Sequence, residues 1–271
     1  MSRTYTARGI NLKSVPMGES DRLTTILSPE HGLIRAVAPG ARKPKSSLRG
    51  RMEPFVVNDL LIVQGRSLHR IIQADTCTSF PSLGRDLAKL AIAQYWAELV
   101  LAMGESDHGH ETLYALLLGH LTQLAALDPQ ARLAGPVAQL VQGIVHLWQW
   151  GGMAPQWDRC CLTGEAIAPP LEQLDQPRWR VGVSFELGGL VALPQPAHLE
   201  PVRLNAYLQA AETYLLQQLS QNPTELVEPP QWGEAIAWRS LERVLRHYSQ
   251  YHLGQGIRSA TLLDTLFIEE F

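Results

Sequence analysis

The residues best suited to chemistry form a cluster of five cations in a short glycine-, proline- and serine-rich segment. Residues 39–51 read Pro-Gly-Ala-Arg-Lys-Pro-Lys-Ser-Ser-Leu-Arg-Gly-Arg and contain no acidic residue. Such a composition cannot form a packed strand throughout, so it predicts a loop that presents its cations to solvent. Cations on a loop beside a β-domain suit a phosphate backbone, which they bind independently of base sequence and with strong salt dependence. A solvated basic loop without a partner is the alternative.

The candidate nucleic-acid-binding residues are therefore the cations of this loop, extended by four arginines on and between the flanking predicted strands. They are Arg42, Lys43, Lys45, Arg49 and Arg51 of the loop, with Arg8, Arg35, Arg66 and Arg70 beside it. Aromatic residues for base stacking are few, because Phe55 lies in an apolar run typical of a core and Tyr5 is a weak candidate. We expect contacts to the backbone to matter more than contacts to the bases.

The sequence gives little evidence for a metal-binding site or a catalytic nucleophile. His108 and His110 are too close for a helical ligand pair, and His247 and His252, five residues apart, do not share a helix face well. No HExxH, Walker A, GxSxG or Rossmann glycine pattern is present. We therefore expect no catalytic residue and no enzymatic activity. A metal-dependent hydrolase that uses the histidines is the weaker hypothesis.

The adjacent cysteines Cys160 and Cys161 come nearest to a zinc motif. A structural zinc site needs four ligands, usually in two closely spaced pairs, and the third cysteine, Cys77, lies far away in the sequence. The expectation is that the chain binds no metal and no other cofactor.

The elements that must position the basic loop are five short predicted strands. They cover residues 5–13, 22–27, 33–38, 55–63 and 68–72, and the turns between several of them contain glycine. Strands of this number and length predict an OB-type five-stranded barrel. After Pro81 the periodicity becomes helical, and helices are predicted over residues 87–103, 112–127, 137–150, 204–219, 232–252 and 261–267. The fold class is α+β, with a barrel domain over residues 1–80, a helical domain over 81–271 and an irregular insertion at about 152–202.

Charge divides between the two predicted domains. Residues 1–80 carry 12 Lys and Arg against 6 Asp and Glu, whereas residues 81–271 carry 11 against 20. The first domain is therefore suited to a polyanion and the second is not. A protein-interaction scaffold without nucleic acid also fits a small β-domain joined to an acidic helical one. Three cysteines, no long apolar run and no signal-peptide core favour a cytoplasmic protein.

Several motifs together resemble the RecO family. They are Gly18-Glu19-Ser20-Asp21-Arg22, the Glu30-His31-Gly32-Leu33 turn, Ala38-Pro39-Gly40-Ala41-Arg42, Leu48–Phe55, Trp150–Pro155 and Tyr248–Ser259. The resemblance spans the chain and implies a recombination mediator. Such a protein binds single- and double-stranded DNA, anneals complementary strands and, with RecR, helps load RecA onto DNA coated by single-strand-binding protein.

The resemblance also implies a zinc knuckle, although this chain lacks most of its cysteine ligands. It further implies a binding site for single-strand-binding protein. Of four cysteine positions in the family only Cys160 is kept, and Thr163 stands where the second would be. The knuckle is therefore expected as a fold element without metal, held by Trp157, Trp179 and Phe185. Arg132 is a candidate contact for the acidic, apolar-ended tail of single-strand-binding protein.

Overall fold

A computed structural model describes residues 4–104, 109–128, 134–170, 178–221 and 235–268. Within these ranges the chain forms two compact units. The first unit comprises the residues up to Leu127 together with those from Thr261, and the second runs from Asp128 to Ala260. The predicted division at residue 80 stays a prediction.

The first unit is built on a closed five-stranded barrel. Its strands are β1 (Thr4–Met17), β2 (Asp21–Ser28), β3 (Gly32–Ala38), β4 (Val57–Val63) and β5 (His69–Thr78). They close in the order β1-β2-β3-β5-β4, and the β3–β5 pair is the parallel one. The predicted OB-type barrel is confirmed, although β5 extends six residues beyond its predicted end.

Alternation of side chains along the strands fills the barrel interior. Ile62 and Ile71 are almost fully buried, and their sequence neighbours are exposed or half-buried. Ile26 is also buried, but it is followed by Leu27, which is buried as well. Gly9 lies where β1 approaches β2 so closely that a Cβ atom would meet the Ile26 side chain and the Leu27 carbonyl. A side chain at this position would push the two strands apart.

The described residues contain six α-helices and three further strands. The helices are α1 (Leu87–Met103), α2 (Glu111–Ala126), α3 (Ala134–Trp150), α4 (Ala210–Gln221), α5 (Ala235–Leu253) and α6 (Ser259–Ile268). The Asp86 side chain caps α1 by accepting hydrogen bonds from the Ala88 and Lys89 N–H groups. No helix in the described ranges is long and apolar enough to span a membrane.

The second unit packs α3 against α4 and α5 and carries a three-stranded sheet. The sheet contains β6 (Arg180–Ser184), β7 (Gly189–Val191) and β8 (Ala206–Gln209) in the order β7-β6-β8. The prediction that a helix begins at Leu204 is wrong, because residues 206–209 pair with β6 and the helix begins at Ala210. In the helical core the Trp148 indole N–H donates to the buried Ser249 hydroxyl at 2.8 Å.

Candidate nucleic-acid interface

The basic loop between β3 and β4 is held against the barrel by apolar side chains. Ala41, Leu48 and Met52 are buried in the same cluster as the barrel interior. Phe55, at the end of the loop, is also buried, as its apolar surroundings predicted, and adopts a left-handed φ of 64°. The loop is therefore held more firmly than its glycine, proline and serine content suggests.

Three polar side chains fix the two ends of the loop. Asn11 and Asn58 both donate to the Arg51 carbonyl, at 2.7 and 2.8 Å. At the other end the Asp21 carboxylate accepts the Gly40 N–H at 2.8 Å, and Gly40 has a φ of 65° that favours glycine. The loop thus presents its cations from a defined backbone.

Four loop cations point to solvent: Arg42, Lys43, Lys45 and Arg49. The Arg42 guanidinium donates to the Gly18 carbonyl of the β1–β2 turn at 2.8 Å, which sets its position. The hydrogen bonds from Gly40 and Ser20 hold the pKa of Asp21 below its usual value, and the charges of Arg70 and Lys43 lower it further. Lys43 of the loop and Arg70 of β5 therefore both lie near the Asp21 carboxylate, which is already hydrogen-bonded.

The outer surface of β1, β2, β3 and β5 continues this positive region. One row of register partners across β1, β2 and β3 is Lys13, Thr25 and Arg35. The next row is Val15, Leu23, Val37 and Arg70. Neither row contains an acidic residue, and Lys13, Arg35 and Arg70 are exposed. We call these two rows together the basic face.

Lys13 is a candidate interface residue that the sequence-based prediction did not include. Lys13 is exposed directly after four buried residues, Gly9 to Leu12, and a register irregularity between Asn11 and Lys13 interrupts the alternation of β1 here. What the sequence alone does not show is the register that aligns Lys13 with Arg35 two strands away.

The predicted cations separate into two groups by their partners. Within the described part of the chain, seven of them form no ion pair with a carboxylate: Arg35, Arg42, Lys43, Lys45, Arg49, Arg66 and Arg70. Arg66 lies in the β4–β5 turn, where its side chain is exposed. Unpaired cations of this kind are available to phosphate groups.

The two remaining predicted cations are paired. Arg8 binds Asp59 through two hydrogen bonds, and Arg51 lies 3.7 Å from Asp75. Arg8 and Asp59 line a cavity of about 620 Å³ on the β1–β4–β5 side of the barrel, together with Glu30 and Asp75. This side carries three carboxylates and therefore does not suit a polyanion.

The aromatic candidates of the barrel are engaged within the protein. The Tyr5 hydroxyl lies 3.1 Å from His69 Nδ1, and its ring packs edge-on against His31 at 4.9 Å between centroids. Phe55 is buried. In this barrel the basic face offers cations and half-buried aliphatic side chains, which favours contacts to the DNA backbone.

Comparison with known proteins places the chain in a family. The protein-family model "Recombination protein O N terminal" matches residues 1–80, and the family model "Recombination protein O C terminal" matches residues 84–261. The chain belongs to the RecO family. It is similar to the DNA repair protein RecO of Nostoc sp., with 44% identity over 98% of this chain and 97% of the relative.

Two further RecO proteins show the same degree of similarity. The Synechocystis sp. protein is 44% identical over the whole of both chains. The Synechococcus elongatus protein is 46% identical over 98% of this chain and 97% of its own length. These relatives are named for DNA repair, and their names give no enzymatic activity.

The residues around the cysteine pair, where the resemblance implies a zinc knuckle, do not provide the ligands of a structural zinc site. Cys160 is buried, and its sulfur accepts the Ala192 N–H at 3.3 Å. Burial acts to raise the pKa of Cys160, but the N–H group of Ala192 and the Thr163 side chain lower it. In the described ranges no three His, Cys, Asp or Glu side chains are grouped to hold a metal. Trp157 and Phe185 are buried in this region, and Trp179 is half-buried.

Arg132, the predicted contact for the single-strand-binding protein tail, lies outside the described residues. Its role stays a prediction.

Proposed function

We propose that this RecO protein binds single- and double-stranded DNA through the basic face and the basic loop. The observation that supports it is the pairing pattern of the barrel cations. Lys13, Arg35 and Arg70 of the basic face have no carboxylate partner in the described part of the chain, and neither do the loop cations Arg42, Lys43, Lys45 and Arg49. Arg51, at the end of the loop, and Arg8, on the side lined by carboxylates, are paired. A surface of this kind binds a phosphate backbone without reading its sequence.

The same surface supports strand annealing. Two complementary strands repel each other through their phosphates, and a surface that binds both lowers this repulsion and raises their local concentration. Base pairing then supplies the free energy, so no nucleotide hydrolysis and no catalytic residue are needed. The proposed activity is therefore non-enzymatic.

Membership in the RecO family supports a proposal for the partners. We propose that the protein acts with RecR to load RecA onto DNA coated by single-strand-binding protein. Its contact with the tail of single-strand-binding protein would use a basic residue beside an apolar helical groove, for which Arg132 is the candidate.

We also propose that the protein needs no zinc and no other cofactor. Cys160 alone of the four family ligand positions is a cysteine, and its sulfur already accepts a backbone hydrogen bond. One thiolate is too few for a structural zinc site, which uses four ligands.

Fluorescence anisotropy of a labelled single-stranded oligonucleotide tests the DNA-binding proposal. The protein is titrated at about 50 mM and at about 200 mM salt, where binding through several phosphate contacts weakens steeply. The variant Arg42→Glu, Lys43→Glu, Arg49→Glu is compared with Arg85→Glu, Arg159→Glu, Arg243→Glu, which makes the same charge change at exposed positions outside the basic face and loop.

We expect the loop variant to lose DNA affinity and annealing while its far-UV circular dichroism stays that of the wild type. The control variant should keep most of its affinity. Unchanged affinity of the loop variant at low salt would exclude the loop from the site. No binding by the wild-type protein would favour the protein-interaction scaffold instead.

A further inference from the structure

The small sheet of the second unit exposes an aromatic ring beside a guanidinium group. Tyr207 of β8 is 54% exposed, although its sequence neighbour Leu208 is fully buried. The Arg180 Cζ atom of β6 lies 5.9 Å from the centre of the Tyr207 ring. The buried side of this sheet is supplied by Val181 and Leu208, so the Tyr207 ring contributes little to the core.

Polar and cationic residues occur on and next to the two strands β6 and β8. Arg180 is the register partner of Gln209, and both are exposed. Arg178 and Arg203 precede β6 and β8 by two and three residues, and both are exposed. None of these three arginines forms an ion pair with a carboxylate in the described ranges. We call Arg180, Tyr207 and Gln209 the sheet patch.

We propose that the sheet patch is a second nucleic-acid site that binds an unpaired base of single-stranded DNA. An exposed ring provides a surface on which a base stacks, and the neighbouring arginines provide charge for the adjacent phosphates. The Gln209 amide offers hydrogen bonds to a base edge or a sugar. Duplex DNA keeps its bases stacked on each other, so the patch favours single strands.

This inference extends the proposed DNA binding to the unit that is acidic overall. Residues 128–260 contain nine arginines, no lysine and twelve Asp and Glu, yet three of the arginines stand on or beside the two strands of the sheet patch.

Photocrosslinking of the full-length protein tests the inference. A single-stranded oligonucleotide that carries 5-iododeoxyuridine is bound, irradiated and digested, and the crosslinked peptide is identified by mass spectrometry. We expect Tyr207 in the crosslinked peptide, and no such crosslink from a duplex of the same sequence. Crosslinks that map only to other residues would overturn the inference.

Affinity measurements give the second readout. Tyr207→Ala should weaken binding of a single-stranded oligonucleotide about tenfold, and Tyr207→Phe should keep the affinity because it keeps the ring. Tyr251→Ala is the matched control, since Tyr251 lies in the same unit and is exposed to 55%. Duplex affinity should stay unchanged in all three variants.

The outcomes separate this inference from the proposed function. If the wild type binds DNA, the loop variant weakens this binding and Tyr207→Ala does not, the sheet patch is excluded and the proposal for the basic loop stands. If Tyr207→Ala weakens single-strand binding while the loop variant has no effect, the sheet patch stands and the proposal for the basic loop fails. If the wild type binds no DNA, both proposals fail.

Discussion

Arg8 and Asp59 are register partners on β1 and β4, and their side chains form two hydrogen bonds of 2.8 and 3.0 Å. The Arg8 guanidinium lowers the pKa of Asp59, so the pair stays ionised at neutral pH. Arg70, by contrast, lies beside Val37 on the basic face. On one side of the barrel, the charge of Arg8 is neutralised by Asp59. On another side, Arg70 has no ion-pair partner among the described residues and can bind a phosphate group.

This difference predicts unequal effects of two single substitutions. Arg70→Ala should lower DNA affinity and reduce the slope of log affinity against log salt by about one. Arg8→Ala should change neither by much, because Arg8 is already neutralised by Asp59. Anisotropy titrations over several salt concentrations measure both quantities. Equal losses in the two variants would mean that DNA also contacts the side of the barrel that carries Arg8.

The contrast between Arg8 and Arg70 also shows what the sequence could predict. Alternating apolar residues placed the five strands, because burial on one face of a strand has a local signature. The same alternation placed Arg8, Arg35 and Arg70 on the outside. Ion pairing has no such signature, since Asp59 is 51 residues from Arg8 and meets it only through the register of β1 and β4.

The sequence-based prediction missed strand β8 because this strand, like the Arg8–Asp59 pair, depends on pairing between distant parts of the chain. The residues from Leu204 to Leu219 contain the apolar spacing and polar residues of a helix, and the first part of this segment is too short to reveal a strand by itself. Pairing of Leu208 with Val181 across the sheet decides the conformation. Glu212 then accepts the Gln209 N–H at 2.7 Å and starts α4 at that point.

The hydrogen bond from the Gly40 N–H to Asp21 predicts an acid-sensitive anchor of the basic loop. The folded protein lowers the pKa of Asp21, so its stabilising effect is complete above the unfolded pKa and is lost as the pH falls through the folded value. Asp21→Asn should therefore be less stable than the wild type at neutral pH, and the difference should shrink below about pH 4. Urea unfolding at several pH values measures this, and a difference that is constant with pH would contradict it.

Burial of His146 predicts a second pH dependence, within the helical core of the second unit. Burial lowers the pKa of His146 from 6.5 to about 4. The unfolded chain then takes up a proton at higher pH than the folded chain, so stability falls as the pH drops below about 6.5 and levels off near 4. The full loss is on the order of 3 kcal/mol.

The variant His146→Leu isolates this effect. It loses a hydrogen bond to the Leu219 backbone and is expected to be less stable at neutral pH. Its stability should nevertheless fall less than that of the wild type between neutral pH and about pH 4.5, because no imidazole is left to protonate. Parallel pH curves for the two proteins would show that His146 does not control the acid response.

The environment of Cys160 predicts that the stability of this region depends on the buried thiol and not on a bound metal ion. Cys160→Ala removes the acceptor of the Ala192 N–H and leaves a buried gap, which should cost about 1–3 kcal/mol. Cys77→Ala is the control, because Cys77 is exposed and its loss should change stability little.

Thermal unfolding of both variants and the wild type, with and without a chelator, distinguishes stabilisation by the buried thiol from stabilisation by a bound metal ion. We expect the chelator to leave every Tm unchanged, because one cysteine cannot replace the four ligands of a structural zinc site. A chelator that lowers the wild-type Tm but not that of Cys160→Ala would instead make Cys160 a metal ligand, with its remaining partners supplied by residues other than the family cysteines.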